Sequence, residues 1–407
     1  MLIRLLAAVI LLSLSVAGCT TPVERLRVAT FNTSLFRDSL GALTHDLSSP
    51  TDSHAMVVAE IIQRVRPDIV LLNEFDYDAT GQALDHFQTN YLAIGQNVSR
   101  SAQAAKPIVY NHRFVAPVNT GVASGFDLDN DGSVGAEGRA YGNDAFGFGL
   151  FPGQYGMVIF SRFPIDSVAV RTFRTFRWQD MPNALLPQDP RTGDSWFAPE
   201  ELEAVRLSSK SHWDVPIIVG KKVVHLLASH PAPPVFDGPE DRNGRRNHDE
   251  IRFWADYVSP DAATYIYDDV GAGGGMAAGT SFVIVGDLNA DPHDGDTTNR
   301  PISLLLESRR VNTTVTPASD GARQQSSLQG GINERHQGDP AFDTADFADG
   351  ERGPGNLRLD YVLPSSDLEF LEAGVFWPLN NDPLFSLVGT YPFPASDHRL
   401  VWIDVSW

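Results

Sequence analysis

The sequence predicts a layered α/β sandwich with mixed sheets, and three observations lead there. Short apolar runs alternate with stretches of helical periodicity along the chain. Two of the runs, DIVLLNEFD (68–76) and SFVIVGD (281–287), are nearly continuous in apolar residues, as strands covered on both faces must be. The segment VPIIVGKKVVHLLASH (215–230) reads as a hairpin turning at Gly220-Lys221, so antiparallel pairs are mixed in with the α/β alternation.

Taken in order, LRVATFN (26–32) is the first strand. A helix follows, with Val58, Ile61, Ile62 and Val65 at i, i+3, i+4 and i+7, and Pro67 stops it. Residues 68–76 form the second strand and MVIFSRFPI (157–165) the third, before the hairpin. HDEIRFWADYV is a second helix that puts Ile251, Trp254, Ala255 and Val258 on one face. The glycine-rich run 271–279 precedes a strand instead of following one, so it is a connector and not a phosphate-cradling loop. Strand 281–287, helix ISLLLES (302–308), strand LRLDYVL (357–363) and closing strand RLVWIDVSW (399–407) complete the series. Two long irregular segments, 117–153 and 317–356, are insertions of the functional or disordered kind.

The N-terminus MLIRLLAAVILLSLSVAGC has the pattern of an export signal: one arginine, a short apolar core, small residues. Its ending, VAGC, resembles the lipobox of bacterial lipoproteins. Residues 1–18 are expected to be removed, Cys19 lipidated, and 19–26 to tether a single domain, 27–407, to the bacterial outer membrane, on its periplasmic side or at the cell surface. A membrane-spanning anchor is the alternative. Cys19 is the sole cysteine, which leaves no intramolecular disulfide and no thiol chemistry. The formal net charge is −20, and −21 once the signal with its single Arg4 is gone. That field repels long polyanions, which are bound through many Lys and Arg contacts, and suits a small phosphoester better. No obligate protein partner is expected.

Polar residues cluster where apolar strands end: Asn32, Glu74, His230, Asp287 with Asn289, Asp360, and Asp397-His398. Strand-end loops are where α/β enzymes place reactive groups. Any one of these residues alone reads as a solvated cap or turn residue. Together, TFN (30–32), LNE (72–74), VIFSR (158–162), SHPAPP (229–234), GDLN (286–289), RLDY (358–361) and SDH (396–398) resemble, in order, the motifs of the endonuclease/exonuclease/phosphatase family. The resemblance implies a four-layer α/β sandwich, two mixed β-sheets packed face to face with helices outside. It also implies hydrolysis of a phosphodiester or phosphomonoester by activated water. In that scheme Asn32, Glu74 and Asp397 bind a catalytic divalent cation, Asp287 positions or deprotonates water, and Asn289 holds a phosphoryl oxygen. Asp360 orients His398, and His230 faces it across the phosphate. Hard oxygen donors of this kind select Mg²⁺ or Mn²⁺, and Ca²⁺ is a third candidate.

Other charged groups carry weaker signals. Asp291 and His293, just beyond GDLN, are candidates for a second cation, with capping of a following helix as the alternative. Asp127, Asp129 and Asp131 with Gly132 match the first half of a calcium loop, although position 12 is Gly138 and an Asx-rich turn explains them equally. Arg242, Arg245 and Arg246, entering a helix, form a candidate anion site, against salt bridging to neighbouring acids. Trp178 and Trp196, with Arg171, Arg174 and Arg177, are candidates to gate the pocket. Two competing functions remain on the sequence alone: a secreted nuclease of the same fold, acting on DNA or RNA, and a surface binding protein that has lost catalysis.

Overall fold

The computed structural model describes residues 25–407; the signal, Cys19 and most of the tether lie outside the described residues. Thirteen strands run β1 (Leu26–Asn32), β2 (Ile69–Asn73), β3 (His112–Phe114), β4 (Met157–Ser161), β5 (Arg171–Thr172), β6 (His212–Val219), β7 (Lys222–Ser229), β8 (Ser281–Asp287), β9 (Ala345–Asp346), β10 (Asn356–Leu357), β11 (Asp360–Pro364), β12 (Glu369–Val375) and β13 (Val401–Ser406). They form a six-stranded sheet, β12-β13-β1-β2-β4-β3, a five-stranded sheet, β11-β8-β7-β6-β5, and the small pair β10-β9. Both large sheets are mixed. Each has one parallel pair, β1-β2 or β7-β8, flanked by antiparallel neighbours.

The apolar strands alternate between two destinations, which is why they read as continuous hydrophobic runs. Val28, Ile69, Leu71, Val283 and Val285 fill the core between the sheets. Their neighbours Ala29, Val70 and Leu72 pack outward on helix Ser53–Val65, and Phe282 and Ile284 on helix Arg242–Tyr257. The result is helix, sheet, sheet, helix, as the sequence predicts. Among the described residues, no helix is long and apolar enough to cross a membrane.

The two helices span the crossovers between the parallel strands, β1 to β2 and β7 to β8, so each half of the molecule is built on a βαβ unit. The C-terminal ends of the parallel pairs meet at one edge of the sandwich, and the site forms there.

Several elements differ from the sequence reading. The second helix begins at Arg242, six residues before the expected start at His248, because Asp237 accepts the Asn243 backbone N–H at 2.5 Å and secures a polar first turn. ISLLLES gives only one helical turn, Ser303–Leu306. LRLDYVL divides between β10 and β11. The insertions are structured: 117–153 contains helix Gly138–Asp144, and 317–356 contains helix Asp320–Gln329, capped by the Ser319 hydroxyl. The sequence of that last helix, DGARQQSSLQ, is too polar to show a stripe.

Candidate active site

Asp287, the last residue of β8, is buried at the meeting point of the two sheets. Its Oδ2 accepts the Asn32 amide from the end of β1 at 3.0 Å, a hydrogen bond from one sheet to the other. The Asp287 backbone N–H donates to Asn73 Oδ1 at the end of β2 (3.3 Å). The same Oδ2 lies 3.4 Å from His230 Nε2 and 3.7 Å from His398 Nε2. Asp287 Oδ1 accepts the Asn289 N–H at 3.0 Å, and the Asn289 side chain donates to Pro231 O at 3.1 Å.

Backbone conformation creates this closeness. Gly286 has φ 152°, and a Cβ there would stand 2.0 Å from Ser229 O. Only glycine lets β7 and β8 approach so far, and that approach brings His230 to Asp287. Glu74 and Asn289 adopt left-handed φ values of 58° and 52°, turning their side chains off the strand ends toward the pocket.

His398 is held from both sides. Its Nδ1 is 2.8 Å from Asp360 Oδ2, which also accepts the Thr344 hydroxyl at 2.8 Å. Its N–H donates to Ser396 Oγ, and Ser396 in turn donates to Asn32 O at 2.7 Å. Burial works against charge on His398, but Asp360 and Asp287 outweigh it and raise the imidazole well above its usual range. Asp287 is correspondingly held below the usual carboxylate range: burial opposes, and His398, His230 and Asn32 prevail. His230 is driven the other way, down to about 4, first by burial and then by the Lys210 charge. One imidazole is therefore a cation and the other neutral.

Glu74 is pushed up to about 7, chiefly by burial, with His398 and Asn32 pulling it down. Among the described residues Glu74 makes no direct ion pair, so burial favours its neutral form unless a cation binds beside it. Asn32, Glu74 and Asp397 supply an amide oxygen and two carboxylates, and Glu74 and Asp397 line one cavity with His230, Asp287 and His398. This donor set fits a hard divalent cation.

Other candidates fall out differently. Asp291 accepts the backbone N–H groups of His293, Asp294 and Arg358 at 2.7, 2.8 and 2.8 Å, so its carboxylate organises its own loop, while His293 is exposed. The pair is not gathered into a cation site, and Asp291 caps no helix. Arg242 and Arg246 line the cavity, but their guanidiniums donate to carbonyls: Arg242 to Leu128, and Arg246 to Leu207, Phe146 and Arg206. They fasten the 117–153 insertion to the helix. Arg245 faces Asp241 at 3.9 Å. Asp127, Asp129 and Asp131 do converge, with one carboxylate oxygen of each mutually within 4.8 Å. The three carboxylates also accept the loop's own N–H groups at Asp131, Gly132 and Ser133. Trp178 lines the cavity; Arg171 and Arg177 pair with Asp268 and Asp180.

Lys210 has no counterpart among the sequence candidates. It is 7% exposed, lines the cavity, and its ammonium makes no hydrogen bond or ion pair among the described residues. Burial lowers its pKa, against the pull of Glu250, Glu74 and Asp287. A lysine in SSKSHWD looks like a solvated one. The signal that finds it is register: counting back from the Gly220-Lys221 turn places Lys210 beside the His230-Pro231 step, as the pairing of His212 with Ser229 confirms.

Fold and site together define a phosphoesterase-type α/β sandwich with an acid, imidazole and amide cluster at the strand ends. Over residues 29–398 the chain matches the model of the Endonuclease/Exonuclease/phosphatase family, and it belongs to that family, whose members are phosphoester hydrolases. Among solved structures it is similar to an endonuclease/exonuclease/phosphatase from Beutenbergia cavernae (18% identity, 94% of this chain and 71% of that one, TM-score 0.49). It is also similar to a family protein from Leptotrichia buccalis (12%, 94% and 100%, TM-score 0.45) and to sphingomyelinase C from Streptomyces griseocarneus (15%, 94% and 100%, TM-score 0.43). No curated protein matches it in sequence.

Proposed function

We propose that the protein is a divalent-metal-dependent phosphoesterase that hydrolyses a small phosphodiester or phosphomonoester by direct attack of water, anchored by lipid outside the cytoplasm. The observation that carries the reading is Asp287, fixed by Asn32 and flanked at 3.4 and 3.7 Å by the imidazoles of His230 and His398.

A cation held by Asn32, Glu74 and Asp397 would neutralise charge building on phosphoryl oxygen. The protein residues do the rest. Asp287 orients the attacking water; a carboxylate held so far down is a weak base, so the proton moves to it as the new P–O bond forms. His398, a cation with Asp360 behind it, and the amide of Asn289 donate to the equatorial oxygens. The P–O bond to the leaving group breaks on the side opposite the water, and the departing oxygen takes a proton from solvent. Neutral His230 holds Asp287 in place without adding a second positive charge.

The test is a panel of p-nitrophenyl phosphate, bis(p-nitrophenyl) phosphate and duplex DNA, each with Mg²⁺, Mn²⁺ and Ca²⁺. Cleavage of a small ester with weak salt dependence is expected. Failure of every ester with every ion removes the reading, and activity confined to DNA that falls steeply with salt replaces it with the nuclease. For the anchor, the support is the VAGC signal; fractionation of wild type against Cys19→Ala, with membrane association lost in the variant, is the check.

A further inference from the structure

Catalytic and apolar surfaces share one cavity of about 830 Å³. Glu74, His230, Asp287 and His398 line it. The lining also holds an aromatic and aliphatic set, with Phe146 and Phe148 from the insertion, Trp178 and Phe197 from the next loop, and Val235 and Phe236 from the segment after His230. A cavity of this size, apolar with a few convergent polar groups, matches a small organic ligand.

The apolar side is built against the reactive one. Arg246 holds the Phe146 carbonyl at 2.6 Å, Arg206 stacks on the Phe146 ring at 4.0 Å, and Gly147 is pressed on Ser209, where a Cβ would come within 1.9 Å of the carbonyl oxygen. Ser209 precedes Lys210, so insertion and lysine are fixed relative to each other. At the mouth, Phe148 and Phe236 remain 43% and 75% exposed, and Phe236 is held at φ 70°, a conformation costly for a bulky residue.

Four Lys and Arg side chains line the cavity, Arg139, Lys210, Arg242 and Arg246, and Arg139 lies over the Phe148 ring at 5.8 Å. Arg242 and Arg246 are occupied by carbonyls, and Glu250, near Lys210, accepts the N–H groups of Ser209 and Ala232. Lys210 is thus a buried cation among the described residues with no bonded acceptor, beside Asp287 and Glu74.

On the reading that this site hydrolyses phosphoesters, we infer that its substrate is a compact phosphodiester with one bulky apolar substituent. Lys210 holds a phosphoryl oxygen, and the substituent lies between the insertion and the Val235-Phe236 segment. Lys210 is a substrate-binding group, and Phe148 and Phe236 set specificity.

The experiment compares three esters with the same leaving group: 1-naphthyl, methyl and thymidine-5′ p-nitrophenyl phosphate, with Mn²⁺. The naphthyl ester should exceed the methyl ester in kcat/KM by about tenfold or more, the scale a hydrophobic pocket gives for extra apolar bulk. In Phe148→Ala/Phe236→Ala the naphthyl-to-methyl ratio should fall toward one. Lys210→Met should lower kcat/KM for all three, with partial recovery in Lys210→Arg. Equal kcat/KM for naphthyl and methyl esters, or preference for the nucleotide ester, overturns the inference and leaves the phosphoesterase reading standing. Cleavage of no ester with any divalent ion overturns that reading, and this inference with it.

Discussion

Asp360 and Asp287 are register partners on adjacent antiparallel strands β11 and β8, and the His398 imidazole bridges them, 2.8 Å from one carboxylate and 3.7 Å from the other. Two buried carboxylates face to face would repel strongly; a shared imidazolium makes the arrangement stable and sets the charge of the site. Replacing Asp360 with Asn removes the charge that holds His398 protonated. Turnover should fall about 10²-fold, and His398→Ala or Asp287→Ala should cost at least as much. A normal thermal melt with lost kcat supports this; unchanged kcat in Asp360→Asn sinks it.

Glu74 and Asp397 face one cavity, with Asn32 at the inner end of β1, as a hard-oxygen set. Chelation with EDTA should abolish hydrolysis, and added Mg²⁺ or Mn²⁺ should restore it. In Glu74→Gln the ion concentration for half-maximal activity should rise about tenfold or more, since one of two carboxylate charges is gone. Metal titrations of both proteins decide it, and identical curves would exclude Glu74 as a ligand.

Gly286 shows how backbone governs the site. A methyl group there meets Ser229 O at 2.0 Å, so Gly286→Ala must push β7 from β8. Destabilisation of roughly 2–4 kcal/mol is expected from overpacking and strain together, with His230 displaced from Asp287. Denaturant midpoints measure the first effect. A variant as stable and active as wild type would mean the two strands tolerate separation.

His212 links stability to acid. Its ring accepts the Ser208 hydroxyl at 2.7 Å, donates to Glu250 O at 2.9 Å, and packs on Phe253 and Trp254; burial pulls its pKa down to about 4. A histidine depressed from its unfolded value near 6.5 contributes stability above that value and loses it as pH falls toward about 4. The loss should reach roughly 3 kcal/mol, since the neutral ring in the folded state must yield to a charged one in the unfolded chain. Urea unfolding at pH 7 and pH 4.5 tests this, with His212→Gln expected to show a shallower pH dependence over that window.

Much of the architecture was legible from local pattern. The strands that carry the site were found because apolar runs buried on both faces are conspicuous, and the hairpin because its turn is. The boundaries that local pattern does not reveal have polar causes: the first turns of helix Arg242–Tyr257 rest on Asp237, and helix Asp320–Gln329 on Ser319, neither of which leaves an apolar stripe. The edge strand β12 leaves no apolar run for a related reason, since most of its residues are exposed or half-exposed.

By itself, the sequence determined the alternation of elements and the chemical kinds of residue at the strand ends, because both are set by neighbours along the chain. Tertiary structure alone decided which of those residues act together. Asn32 reaches Asp287 across 255 residues, Arg246 became a fastener for an insertion 100 residues away, and Lys210 changed from an apparent surface charge into a buried cation facing the pocket. The work a charged side chain does depends on its solvent exposure and on the dipoles around it, and folding fixes both.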